Sequence, residues 1–434
     1  MDKIQPNNSN YSSQPSNFES DELLNSEAAV SLDTDLALAA EPQQNMSITN
    51  QDLESASLAT EANSSSGDED GLNFVFNFAD NVPQEIRDNM GKAGEAWSAV
   101  IADDVTVQID VGYEFETDGL ANANSEQTEV SYSEFRQALS NSATSEDDAI
   151  AVANLPKGEA IDLLINNTQE NQGSDDVYLD DNGSANNSTI TVNTANAKAL
   201  GLDVADDLAD ATITFEEAVN WDYDASDGTP TNAVDFENVA IHEIGHVLGF
   251  YASVDGLDEV AGQNLKELIL SGDVEVEDIA EALEIEVADL ENLLALLGIE
   301  NIAEIDLETF ETLIADSPAE PLLESIEPDQ FVSENLYLPN AIDLFRYSDL
   351  SSDLGVNDFT TGERDKYFSI DGGETEIATF STGEFLGNGR QISHWEDDLN
   401  LGVMDPTYDS GAGEIGSISS NDLLALDVVG WDII

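Results

Sequence analysis

Alternation of apolar and polar positions sets in at Leu72, where LNFVFNF sends every second side chain to one face, the period of a half-buried strand. PQEIRDNMGKAGEAWSAVI follows with a helical pattern opened by Pro83, and VTVQIDVGYEF alternates again. A strand, a helix and a strand in that order predict parallel strands joined by a right-handed crossover. Further strands are expected at Ala160–Ile165, Ser188–Val192 and Ala211–Phe215, set apart by Asn, Asp and Gly clusters such as DDNGSANN. This half of the chain reads as a mixed α/β layer.

The pattern is different on either side. Residues 1–68 are rich in Ser, Asn, Gln, Asp and Glu, with few aromatics and no sustained period, the composition of a segment that cannot bury enough surface to fold. From Asn264 to Ala315, Leu and Ile recur at three- and four-residue spacing among acids, and no basic residue stands between Lys266 and Arg346. That stretch predicts a self-packing helical insertion over 263–318, ended by Pro318 and Pro321. The remainder, 331–434, is turn-rich and closes with a helix, NDLLALDVV, stopped by Gly430. The apolar residues after it, Trp431, Ile433 and Ile434, are expected to pack as a terminal strand.

Composition narrows the chemistry. The 434 residues carry 92 Asp and Glu against 11 Lys and Arg, a formal net charge of −81, which repels phosphate backbones and anionic lipid and argues against a nucleic-acid partner. Such a surface suits an extracellular or saline setting, and its carboxylates are possible calcium ligands, with the acidic turns at Tyr223-DASDG and Ser369-IDGG as candidates that ordinary turn chemistry explains better. No run of eighteen apolar residues exists, so no membrane span is predicted. The first thirty residues hold no apolar stretch of the length a secretory signal needs, so export would use a route without a cleaved N-terminal signal. Without cysteine, a zinc site must be built from histidine or carboxylate. Oligomeric state cannot be read from the sequence.

DFENVAIHEIGHVLGF supplies that site. It begins with Asp235, able to cap a helix, and is broken by Gly249, so His242 and His246 stand four apart on one helical face while Glu243 is placed to reach a metal-bound water. Zinc between the two imidazoles would lower the pKa of its water towards about 7, and the glutamate would take the proton and pass it to a leaving amine. Two ligands do not complete a catalytic zinc site. The position where HExxHxxGxxH would supply a third is Ala252, with Asp255 and Glu259 nearby as substitutes; the one further histidine is His394, in SHWEDDLNLGVMDP, ten residues before Met404. A methionine in such a turn can floor a zinc site with apolar surface. Tyr408 is a candidate donor to the oxyanion of a tetrahedral intermediate.

At these residues the chain resembles the leishmanolysin family of metzincins, in which an HExxHxxGF helix is separated by a long insertion from a third histidine in an HWE segment ahead of a methionine turn. The matching positions are His242, Glu243, His246, Gly249 and Phe250, then His394, Trp395 and Glu396, then Met404 and Pro406. The resemblance implies one catalytic zinc on His242, His246 and His394, with Glu243 catalytic and Met404 beneath the metal. It also implies a metzincin-like catalytic domain over 69–434: a 69–250 subdomain carrying the active-site helix on a twisted mixed sheet, and an irregular 331–434 subdomain carrying the third ligand. That family is rich in disulfides and this chain has none, so its loops need not be alike. The expected reaction is hydrolysis of internal bonds in a protein or peptide. Alternatives are a non-catalytic surface protein that keeps the zinc fold, against which the intact Glu243 speaks, and a zinc amidase of another substrate class.

Overall fold

The computed structural model describes residues 71–115, 119–166, 177–204, 208–260, 338–408 and 418–434, together with short strands at 30–31 and 64–66. The helical insertion expected over 263–318 lies outside the described residues, as does the polar N-terminal segment apart from those two strands.

The alternating run at Leu72 forms strand β2 (Asn73–Phe78), flanked by β1 (Ser64–Ser66). Phe74 and Phe76 are fully buried while the intervening side chains are half-buried, as a one-sided strand requires. Pro83, extended in its backbone, stands at the start of helix α1 (Gln84–Ser98), whose inner stripe is Ile86, Met90, Ala93 and Trp97. Strand β3 (Thr106–Glu114) pairs parallel to β2, with Asn73 opposite Thr106, and Val107, Ile109 and Val111 point inward. Two more strands complete the sheet. β5 (Ala211–Glu216) runs parallel to β3, and β4 (Ala121–Ser125) closes the edge antiparallel to β5, giving the order β1-β2-β3-β5-β4.

The other expected strands exist at Leu163–Ile165 and Thr189–Asn193, but neither joins this sheet. Thr189–Asn193 pairs antiparallel with Gln127–Ser131; Leu163–Ile165 pairs with Tyr178–Asp180 and, in parallel, with Asn357–Phe359 from the far side of the insertion. Strands of three to five residues carry too little period for their partners to be read in advance. The cross-chain pairing stitches the two halves together, and their apolar side chains form one buried cluster reaching from Phe74 and Ile213 through Phe236 and Ile244 to Phe380, Trp395 and Met404.

Helix α2 (Phe236–Val247) packs on α1 and on β4. Two indoles fix it: Trp97 Nε1 donates to Ile241 O at 2.9 Å and Trp431 Nε1 to Leu248 O at 2.6 Å. A short helix, α3 (Val254–Val260), follows, and α4 (Ser420–Val429) closes the fold, stopped by Gly430. Beyond it Trp431 is buried and Ile433 forms an isolated bridge to Ile101, while Ile434 stays exposed, so the closing residues dock along the chain after α1 without forming the expected strand. Among the described residues no helix is long and apolar enough to cross a membrane.

Candidate metal centre

The Asp235 carboxylate caps α2, accepting from the Asn238 backbone N–H and side-chain amide, and Gly249 ends it with a φ of 115° that a residue bearing Cβ adopts only under strain. Between these signals the helix turns His242, Glu243 and His246 inward, each 1% exposed or less. His394 enters from the opposite half, its carbonyl held by the Ser381 N–H at 3.0 Å, and is equally buried.

The three imidazoles converge. His242 Nε2 lies 3.0 Å from His246 Nε2 and 3.2 Å from His394 Nε2, and the ligand atoms of all three fall within 4.8 Å of one another. Their protonation is constrained by their second nitrogens: His242 Nδ1 stands 2.7 Å from Val403 O, and His246 Nδ1 stands 2.7 Å from Phe250 O. A carbonyl oxygen only accepts, so each Nδ1 carries the hydrogen and, in the neutral ring, each Nε2 presents a lone pair. Burial, reinforced by the neighbouring imidazoles, holds His242 and His394 well below the usual histidine range, so both are neutral at pH 7. Tetrahedral zinc with Zn–N of about 2.0–2.1 Å sets its ligand nitrogens about 3.3 Å apart, close to the 3.0 and 3.2 Å found between these Nε2 atoms. The donor set therefore fits a divalent cation, and zinc in particular. Among the described residues this is the one cluster of three or more histidine or carboxylate donors that converge on a point.

Asp255 is not among those donors. Its carboxylate is turned instead to the segment ahead of His394, accepting from the backbone N–H groups of Ile392 and Ser393 and from the Ser393 hydroxyl. The side chain of Glu259 lies outside the described residues, and so does that of Tyr408, whose backbone pairs with Val30. The candidate calcium turns are closed by their own side chains: Asp224 accepts from the Ser226 N–H and hydroxyl, and Asp371 from the Ser369 hydroxyl and from Thr375.

Met404 lies against the helix that bears the histidine pair. It is fully buried, and a Cβ at Gly245 would strike its Sδ, so the glycine between the two histidines is what lets the methionine turn approach. Sequence reasoning missed the residue that holds this turn. Asp422, on α4, accepts from Val403 N at 2.9 Å, Met404 N at 3.4 Å, Trp395 Nε1 at 2.8 Å and Ser419 N at 2.7 Å. The spacing Ser419-x-x-Asp422 signals a capping box, which forms, but nothing local marks the carboxylate's reach to the turn. Trp395 itself packs edge-on against Phe250 at 4.8 Å, joining the third-ligand segment to the end of α2.

Residues 116–257 match the family model described as Matrixin, a span that takes in β4, β5 and the helix bearing His242, Glu243 and His246 and stops short of His394. No curated protein and no solved structure matches the chain. The match supports a metzincin-type metallopeptidase on a mixed α/β domain.

Proposed function

We propose that this chain is a zinc-dependent endopeptidase of the metzincin type, with zinc on His242, His246 and His394 and with the distant third ligand of the leishmanolysin-like arrangement. The reading rests on one observation above all: three buried imidazoles, two with a hydrogen fixed on Nδ1, bring Nε2 to a common point beside an adjacent buried glutamate.

When bound there, zinc polarises a substrate carbonyl and lowers the pKa of water towards about 7. The Glu243 carboxylate takes up the proton of the attacking water and returns it to the leaving nitrogen as the C–N bond breaks. Val403 O and Phe250 O hold the imidazole rings in orientation, and Met404, Trp395 and Phe250 keep solvent from the floor of the site. Tyr408 remains the candidate donor to the oxyanion. The Matrixin similarity favours peptides as substrate, and the edge strand β4, packed on α2, offers an extended peptide a place to add as a further strand. The acidic surface favours work in a saline, extracellular setting.

Elemental analysis together with hydrolysis of casein peptides tests this on wild type, Glu243→Ala, His394→Ala and Tyr408→Phe. Wild type is expected to hold one zinc and cleave. Glu243→Ala should keep the metal with cleavage lowered by about 10²–10⁴-fold; His394→Ala, left with two imidazoles, should bind zinc far more weakly and lose cleavage, and Tyr408→Phe should lower kcat at unchanged KM. A wild type that holds zinc and cleaves no peptide would sink the peptidase reading.

A further inference from the structure

Asp255 and Asp258 stand one helical turn apart on α3, the short helix that follows the two-histidine helix, and both are buried. Each is spent on the segment that leads into His394. Asp255 accepts from Ile392 N, from Ser393 N at 2.9 Å and from the Ser393 hydroxyl, and that hydroxyl in turn accepts from Ala252 N at 2.9 Å. Asp258 accepts from Phe385 N at 2.8 Å and Leu386 N at 3.1 Å, and from the Thr361 hydroxyl. Burying two carboxylates of like charge on adjacent turns is costly, and packing alone would favour apolar residues there. What the two acids share is their donors: with one exception these are backbone N–H groups or the serine hydroxyl between 385 and 393, the residues just ahead of the third imidazole.

We infer that Asp255 is a positioning residue for the third ligand, fixing the main chain at Ile392 and Ser393 so that His394 reaches the His242–His246 pair already ordered, while Asp258 fixes the preceding turn. The need is topological. His394 lies 148 positions after His246 (394 − 246), and a ligand at such a distance must otherwise be ordered at the moment the metal binds. The two acids lie within 12 positions of His246 (258 − 246) and so carry the geometry of α2 across to the other half. The inference rests on the zinc reading above, since it assigns Asp255 a role toward that metal.

The test uses the full chain, stripped of metal and titrated with zinc against a chromophoric chelator, as wild type, Asp255→Asn, Ser393→Ala, His394→Ala and the Asp255→Asn/His394→Ala double variant. Cobalt(II) absorption and the metal-free thermal midpoint are recorded for each. Asp255→Asn keeps the side-chain shape but offers one acceptor oxygen where three donors converge, and is expected to bind zinc about 10–100-fold more weakly, with a less intense cobalt spectrum. Ser393→Ala should bind about threefold or more weakly. In the His394→Ala background Asp255→Asn should cause no further loss, because its effect passes through that histidine. An Asp255→Asn variant that binds zinc as tightly as wild type overturns the inference, as does an equal loss with and without His394. Should Asp255→Asn not fold, Ser393→Ala decides, and wild-type affinity there overturns it. Zinc binding by wild type alone reads the parent proposal, so its failure is seen separately.

Discussion

His242 and His246 show how much a single proton position decides. Each donates from Nδ1 to a backbone carbonyl, Val403 O and Phe250 O, and both carbonyls belong to turns that the apolar core holds in place. With Nδ1 so engaged, both rings are held with Nε2 turned to one point, the preorganisation a tight zinc site would require. Gly245, between them, is the second such commitment, since Met404 Sδ occupies the space a methyl would need and the Trp97 ring borders it at contact distance. Gly245→Ala is expected to cost about 1–3 kcal/mol, because both neighbours are fully buried and neither can move without repacking. Urea unfolding of the metal-free protein measures this, and an unchanged midpoint would show that Met404 shifts freely. The histidine pair and its glutamate were legible in the sequence because they sit within one helix whose cap and stop are local. Asp255 was legible only as a carboxylate near the motif, and its true partners lie 137 and 138 positions away.

At the scale of elements, α2 and α4 are joined through the methionine turn. The sequence shows α4 as a helix stopped by glycine, and the structure adds its cap, with Ser419 accepting from the N–H groups of Asn421 and Asp422. Asp422 then does more than close the cap: its carboxylate gathers the turn at Val403 and Met404 and the indole of Trp395. Asp422→Ala would strand several buried donors at once and is expected to destabilise by about 3 kcal/mol or more, with zinc affinity lowered as well. Chemical denaturation and chelator competition on the same samples check the two effects. A variant that loses stability but keeps wild-type zinc affinity would show that α4 supports the fold without supporting the site. Short strands were the weaker part of the reading at this scale. Leu163–Ile165 was visible as an apolar run, but its pairing with Asn357–Phe359 depends on a return of the chain that no local signal announces.

In a molecule of formal charge −81, buried carboxylates also lie near one another, Asp343 near Asp255 among them. Burial raises Asp343 to about 7, opposed by hydrogen bonds from Asn340 N and Ser253 N and by the nearby Arg346. With its folded pKa above the unfolded value, Asp343 binds its proton more tightly in the native state. It therefore favours folding as the pH falls through about 7 and opposes it above. The imidazoles of His242 and His394, held low, act in the reverse sense, because the unfolded chain takes up their protons first. Total stability against pH thus mixes opposing groups, and a difference isolates one of them. Metal-free wild type is expected to gain on the order of 2 kcal/mol relative to Asp343→Asn between pH 7.5 and 5.5. Parallel denaturation of the two proteins at both pH values reads it, and a difference that does not change with pH would place the Asp343 proton elsewhere.

By itself the sequence determined the two-histidine helix, its caps, the strand–helix–strand entry, the exclusion of thiolate chemistry and the acidic character of the surface. These depend on residues close together in the chain or on composition, where hydrogen-bond geometry and periodicity act over one or two turns. Only the tertiary structure decided that His394 rather than Asp255 meets the histidine pair, that Asp255 and Asp422 hold the segments on either side of it, and that the two halves share one core. A buried carboxylate can find its donors anywhere the chain returns, and the return is set by the packing of the whole core rather than by any residue's neighbours.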